Sequence, residues 1–168
     1  MKLALLTLLV IGCTADNKAE DTATEADTDT DTNTDTSEGS ISNDNPIASL
    51  SSGISEFTLN QVVAGETVTR RFLVHTPEDF DSSQSRPLLF AFHGNGGEPE
   101  SFSGYLWDGI EQGLFIGVYP AGIEYSWNLG PEASEADDVP FIEAVLGMLT
   151  GTAGVDATKP VALGWSNP

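Results

Sequence analysis

Pro160-Val-Ala-Leu-Gly-Trp-Ser-Asn-Pro168 is the stretch on which the fold turns. Val161 to Trp165 reads as a buried strand running into Gly164-Trp165-Ser166-Asn167. These four residues are most of a G-x-S-x-G elbow, a sharp strand-to-helix turn that raises a serine hydroxyl at the end of a sheet. Gly164 makes room for such a turn. The place two residues after the serine usually needs a second glycine and here holds Pro168. Proline lacks an N–H and biases Asn167 away from the helical region, yet it can occupy the first turn of a helix.

The chain upstream alternates between strands and helices. Asp137 and Asp138 open a helix that carries Phe141, Ile142, Val145, Leu146 and Leu149 on one face, and Gly151 and Gly154 end it. Two carboxylates in a first turn complement the helix dipole. Ala121 to Glu135 reads as loop, and Phe115-Ile-Gly-Val-Tyr119 as a buried strand stopped by Pro120. Phe102, Leu106, Ile110 and Leu114 are spaced by four, which predicts a helix over Glu98 to Leu114, weakened by Gly104, Gly109 and Gly113. His93-Gly-Asn-Gly-Gly97 is a tight glycine-rich turn that follows the continuous apolar run Pro87-Leu-Leu-Phe-Ala-Phe92. Such a run is expected of a strand buried on both faces. Phe57 to Val63 and Thr67 to His75, joined by Ala64-Gly65-Glu66, predict a hairpin. The fold class expected is therefore α/β: an antiparallel hairpin, then mostly parallel strands with helices on the sheet faces.

The glycine turn and the elbow carry the chemistry. After a third strand, glycines let backbone N–H groups face a developing oxyanion, and one such donor is often worth about 3 kcal/mol. His93 has the plainer reading of a side chain packed against its own turn. Together the two elements, each at the end of a strand expected in the parallel part of the sheet, point to acyl transfer by a nucleophilic serine.

Arg71-Phe-Leu-Val-His-Thr-Pro77, Pro87 to Gly97, Gly117-Val-Tyr-Pro120, Trp127-Asn128, Asp137-Asp-Val139 with Phe141-Ile142, and Gly164-Trp-Ser-Asn167 stand in one order. In that order the chain resembles the secreted polyhydroxybutyrate depolymerase and feruloyl esterase-like branch of the α/β-hydrolases, over about residues 57–168. The resemblance implies a serine esterase that cleaves polyester or plant cell-wall ester bonds without a cofactor or metal. It implies Ser166 as nucleophile and the backbone N–H groups of Asn95, Gly96 and Asn167 as oxyanion hole. It sets His93, Trp127 and Asn128 near the substrate loop, with a structural aromatic equally open for Trp127. In this fold the triad runs in chain order Ser, then Asp or Glu, then His. Both histidines, His75 and His93, precede Ser166. A serine without a base is a poor nucleophile. The expectation is an N-terminal portion of a hydrolase sheet, truncated at the elbow and inactive as given. The alternative is a non-catalytic surface lipoprotein on a degenerate hydrolase scaffold.

The other end of the chain concerns address. Met1-Lys2 and the apolar run Leu3 to Ile11 read as a signal peptide too short to span a bilayer. Leu9-Val-Ile-Gly-Cys13 resembles a bacterial lipobox, so residues 1–12 are expected to be removed and Cys13 lipidated. Cys13 is the only cysteine, so no internal disulfide forms. Thr14 favours the outer membrane or cell surface over inner-membrane retention. Residues 13–50 are expected to be a disordered acidic linker, centred on the Asp-Thr repeat of Asp27 to Thr36. Asp27, Asp29, Asp31 and Glu38 fit an EF-hand spacing, but Thr32 stands where that loop needs glycine, which leaves a tether. The partial hydrolase domain then covers residues 51–168. The net charge is −20, from 26 acidic and 6 basic residues. Such a balance argues against a nucleic-acid partner and against adhesion to anionic lipid other than through an anchor.

Overall fold

The computed structural model describes residues 39–130 and 134–165. Cys13, the Asp-Thr repeat, Ser166 and Asn167 lie outside the described residues. Six strands form one sheet: β1 (Ile41–Ser42), β2 (Gly53–Val63), β3 (Glu66–Thr76), β4 (Arg86–Phe92), β5 (Ile116–Pro120) and β6 (Val155–Gly164), in the order β1-β2-β3-β5-β4-β6. The first four in that order pair antiparallel, whereas β5, β4 and β6 run parallel. The hairpin reverses at Ala64 and Gly65, both with positive φ, as a two-residue turn between twisted strands requires.

The chain moves from β4 to β5 in one direction and from β5 to β6 in the other. Right-handed crossovers therefore put the two connecting segments on opposite faces. One face carries α1 (Pro99–Ser103), a 3₁₀ turn (Gly104–Leu106) and α2 (Trp107–Glu111). The other carries α3 (Asp138–Leu149). The core is split accordingly. Leu59, Phe72, Val74, Leu88, Phe90, Ile116 and Val118 pack under Phe141, Val145 and Leu149 of α3. Leu73, Ala91 and Tyr119 meet Ile110 on the opposite side.

β3 shows how the alternation works residue by residue. Side chains two apart share a face. Arg70, Phe72 and Val74 turn toward α3. Arg71, Leu73 and His75 turn toward the 99–111 layer. Two consecutive arginines thus tie down opposite layers.

Three expectations need correction. The helix expected over Glu98 to Leu114 is broken: Gly104 ends α1 and opens the 3₁₀ turn before α2 begins. Glycine in a helix interior costs roughly 1 kcal/mol relative to alanine, and three within ten residues outweigh the apolar spacing. The strand expected to be buried at Val161–Trp165 starts earlier, at Val155, and lies at the sheet edge, with Val161 55% and Trp165 66% exposed. Among the described residues β6 pairs only with β4. Lastly, the stretch 39–50, assigned by composition to the linker, packs on the domain. Ile41 and Ser42 pair with β2, and buried Ile47 donates its N–H to the Met148 carbonyl at 2.8 Å.

Candidate active site

At the carboxyl ends of β4 and β5 the two connecting loops leave toward opposite faces. This is the crevice in which open α/β sheets hold their ligands. The loop after β4 is the glycine turn. Gly97 donates its N–H to the Gly94 carbonyl at 2.9 Å, and Gly96 sits at φ +77°. A type II turn has this form, with glycine at its third position. A Cβ on Gly97 would stand 2.9 Å from the Gly94 oxygen and 3.2 Å from the His93 Cβ, so the fourth position is closed to other residues too.

The loop after β5 is clamped onto that turn. Nε2 of buried His93 accepts the Gly122 N–H at 2.9 Å, so the ring proton sits on Nδ1 and is donated to the Gly94 carbonyl at 2.9 Å. Trp127 lies tilted against His93 with ring centroids 5.0 Å apart and donates its indole N–H to the His93 carbonyl at 2.8 Å. Gly96 donates its N–H to the Tyr125 carbonyl at 2.8 Å. That carbonyl is presented by a turn with Glu124 at φ 53° and Tyr125 at φ 59°, closed by Ser126 N–H to Ile123 O at 3.0 Å. Two successive left-handed residues define type I′, here without glycine or asparagine, at a cost of roughly 1 kcal/mol each. Gly122 makes the tight approach possible, since a Cβ there would collide with the Ser126 carbonyl.

Beneath this loop lies a polar clamp. Arg70, 2% exposed, pairs with Asp138 at 2.7 Å and donates to Gln61 Oε1 at 2.9 Å and to the Ala121 carbonyl at 3.1 Å. Its guanidinium lies 3.8 Å from the centroid of Phe141. Burial pulls Arg70 below its ordinary value, and the Asp138 carboxylate opposes that pull. The other oxygen of Asp138 accepts the Asn128 N–H at 2.7 Å. Asp138, read as a helix-start residue, therefore also fixes the loop after β5. On the far side of the sheet Arg71 gathers Glu98, Glu100 and Glu56. A cleft of about 360 Å³ opens between Arg71, Glu98, Ile123 and Tyr125.

The sequence-predicted residues divide as follows. His93, Gly94, Gly96 and Trp127 are brought together. Asn128 is exposed and held at Asp138. Asn95 is exposed, and its N–H donates to no acceptor among the described residues. The Gly96 N–H, expected toward an oxyanion, is spent on Tyr125. Trp165 donates its N–H to the Phe92 carbonyl at 3.1 Å, which brings the end of β6 level with the start of the glycine turn. Sequence reasoning missed Gly122, Tyr125 and the Arg70–Asp138 pair. Adjacent arginines inside a strand were the available signal, since one of the two must face the core.

No protein-family model matches the chain. It is similar to NocK of Nocardia uniformis subsp. tsuyamanensis, named as an esterase, with 34% identity over 62% of this chain and 32% of the relative. It is similar to feruloyl esterase B of Piromyces equi, with 28% identity over 58% of this chain and 19% of that protein. Feruloyl esterase C of Emericella nidulans is 29% identical over 58% of this chain and 37% of that protein. The chain thus spans a fifth to somewhat over a third of the length of these relatives. Among the described residues no helix is long and apolar enough to cross a membrane.

Proposed function

We propose that this chain is the nucleophile-bearing part of an ester hydrolase, with Ser166 as nucleophile and the backbone N–H groups of Asn95 and Asn167 as oxyanion donors. One observation carries the reading. The Trp165 N–H bonded to Phe92 brings the residue before Ser166 to the level of the His93–Gly97 turn. The strand order, with its loops parting at β4 and β5, supports it, and so does the similarity to proteins named as esterases. Polyester or plant cell-wall esters are the substrates proposed, the latter by analogy with the feruloyl esterases. Gly96 becomes a third donor only if it leaves the Tyr125 carbonyl.

The general base is proposed to come from polypeptide other than residues 1–168. His93 has both ring nitrogens committed within the loop clamp. His75 is fully buried on the face under α2. Serine catalysis needs an imidazole or equivalent within hydrogen-bond reach. The test joins this chain to the sequence encoded downstream of codon 168. The joined protein should hydrolyse a short-chain nitrophenyl ester, and Ser166→Ala should lower kcat by roughly 10⁴-fold or more. Residues 1–168 alone should be slower by a similar factor. Full activity in Ser166→Ala would sink the assignment.

The commitment of His93 within the loop clamp and the burial of His75 also favour a second reading, a surface protein that keeps the scaffold without the chemistry. It expects no turnover from the joined protein either. In both readings the mature chain is exported and anchored through lipidated Cys13. Radiolabelled palmitate should enter the wild-type protein in a bacterial host but not Cys13→Ser; equal labelling of the two would remove the anchor.

A further inference from the structure

The layer formed by residues 99–111 is fastened to β3 at two points. The first is ionic: Arg71 with Glu98, Glu100 and Glu56. The second is four residues along the same strand face. There His75 is fully buried beneath Trp107, ring centroids 4.7 Å apart, with its Nε2 3.8 Å from Glu111 Oε1.

This second point contains an unusual concentration of unpaired polar atoms. Both ring nitrogens of His75, Oε1 of Glu111 and the hydroxyl of Tyr119 are buried without a hydrogen-bond partner among the described residues. Buried polar groups are paired in the great majority of cases, so four orphaned atoms in one place call for an explanation. The backbone brings them together. Gly117 lies directly opposite His75 in the β3–β5 ladder. The Tyr119 hydroxyl fills the space of the missing side chain, 2.5 Å from where a Cβ on Gly117 would sit. Paired residues of an antiparallel ladder have Cβ atoms about 5 Å apart, so that hydroxyl stands on the same sheet face as His75, beside its ladder partner.

The charges that face His75 are few. Glu111 faces it from α2, and Glu78 acts from the segment after β3. Ile54 of β2 and Gly117 and Tyr119 of β5 bring no formal charge. Glu111 is not free to close the gap, because its other oxygen accepts the Glu78 N–H at 3.3 Å. A neutral imidazole fits here at the cost of lost hydrogen bonds. An imidazolium would leave water for a site where its one near carboxylate oxygen, Glu111 Oε1, stands at 3.8 Å, a loose ion pair without a hydrogen bond that does not replace the lost hydration.

We propose that His75, Glu111 and Tyr119 form an acid-sensitive latch, which holds α2 on β3 while His75 is neutral and releases it when His75 takes up a proton. Burial pulls His75 below its ordinary 6.5, and Glu111 and Glu78 oppose that pull without cancelling it. A histidine whose folded value is depressed binds fewer protons folded than unfolded. The latch is therefore complete above about pH 6.5 and is lost as pH falls from there to the lower folded value. The Arg71 fastening stays intact across that window, since Arg71 is held above its ordinary range and Glu100 below its own. Release is thus confined to the part of the layer that carries α2.

Hydrogen exchange on the full chain tests this. Between pH 7 and pH 5, with intrinsic exchange removed, amides of 104–115 should lose protection by roughly threefold or more, while those of β2 and β3 do not. His75→Gln, which cannot be protonated, should flatten that dependence. Glu111→Gln removes the anion that favours the imidazolium, so it should move the His75 titration midpoint, read by NMR, further down and enlarge the loss. If His75→Gln fails to fold, the wild-type titration decides. A His75 midpoint at or above 6.5, or unchanged protection of 104–115, overturns the latch.

Discussion

Arg70 and Arg71 are adjacent on one strand, and their surroundings set very different energetics. Arg70 is buried, pairs with Asp138 and gives further bonds to Gln61 and Ala121. Its removal would leave Asp138 and Gln61 facing an emptied site. Arg70→Ala should therefore cost about 3 kcal/mol, the range for breaking a buried pair. Arg71 has more carboxylates around it, yet its side chain is 30% exposed and its partners 39–54%. Pairs so open to solvent contribute little, and Arg71→Ala should cost less than about 1 kcal/mol. Urea denaturation of the two variants measures the contrast; equal losses would mean that burial does not govern these pairs. The Arg70 loss should also persist in high salt, which screens the Arg71 cluster but not a buried pair.

At the scale of elements, the strands were the most legible part. Pro87 to Phe92 and Phe115 to Tyr119 read as buried runs because both sheet faces are covered there, and β4 and β5 lie where those runs predict. The hairpin, the glycine turn and α3 were legible for the same reason: each is set by a local pattern of apolar spacing or turn residues. The helix expected from Glu98 to Leu114 shows the limit. Its apolar spacing was real, since Phe102, Leu106 and Ile110 do pack on one cluster. The helix nevertheless tightens to a 3₁₀ turn over Gly104–Leu106, where Leu106 leaves the helical region at φ −104°, so three short pieces deliver the contacts that one helix was expected to make. The loop from Ala121 onward was less legible still. Glu124 and Tyr125 carry no turn signature, and their left-handed conformation is sustained by Gly122 N–H to His93 and Gly96 N–H to Tyr125. Those are contacts between segments some thirty residues apart.

For the whole molecule, the open side is β6. Lys159 to Ala162 are all exposed, and among the described residues β6 has no second strand beside it. An unpaired edge of this kind is a template for pairing with another chain, blunted in part by Lys159 and Pro160. The chain at neutral pH should accordingly self-associate as concentration rises. Val161→Lys, which places a charge on that edge, should shift sedimentation velocity profiles toward monomer. Association that is indifferent to this substitution would place the sticky surface elsewhere. The net charge of −20 works against association at low salt, so the contrast should sharpen as salt is raised.

The chain by itself determined its α/β class, the β2–β3 hairpin and the glycine turn after β4. These follow from periodicity and composition, which act between near neighbours. Only the tertiary structure decided that Arg70 rather than Arg71 is buried. It also decided that Gly96 is spent on Tyr125, that His93 is a bracket with no free nitrogen, and that His75 meets Glu111 and Tyr119. Each of those outcomes depends on which strand lies beside which. That order is set by crossovers packing against both sheet faces at once, a constraint that no short window of residues contains.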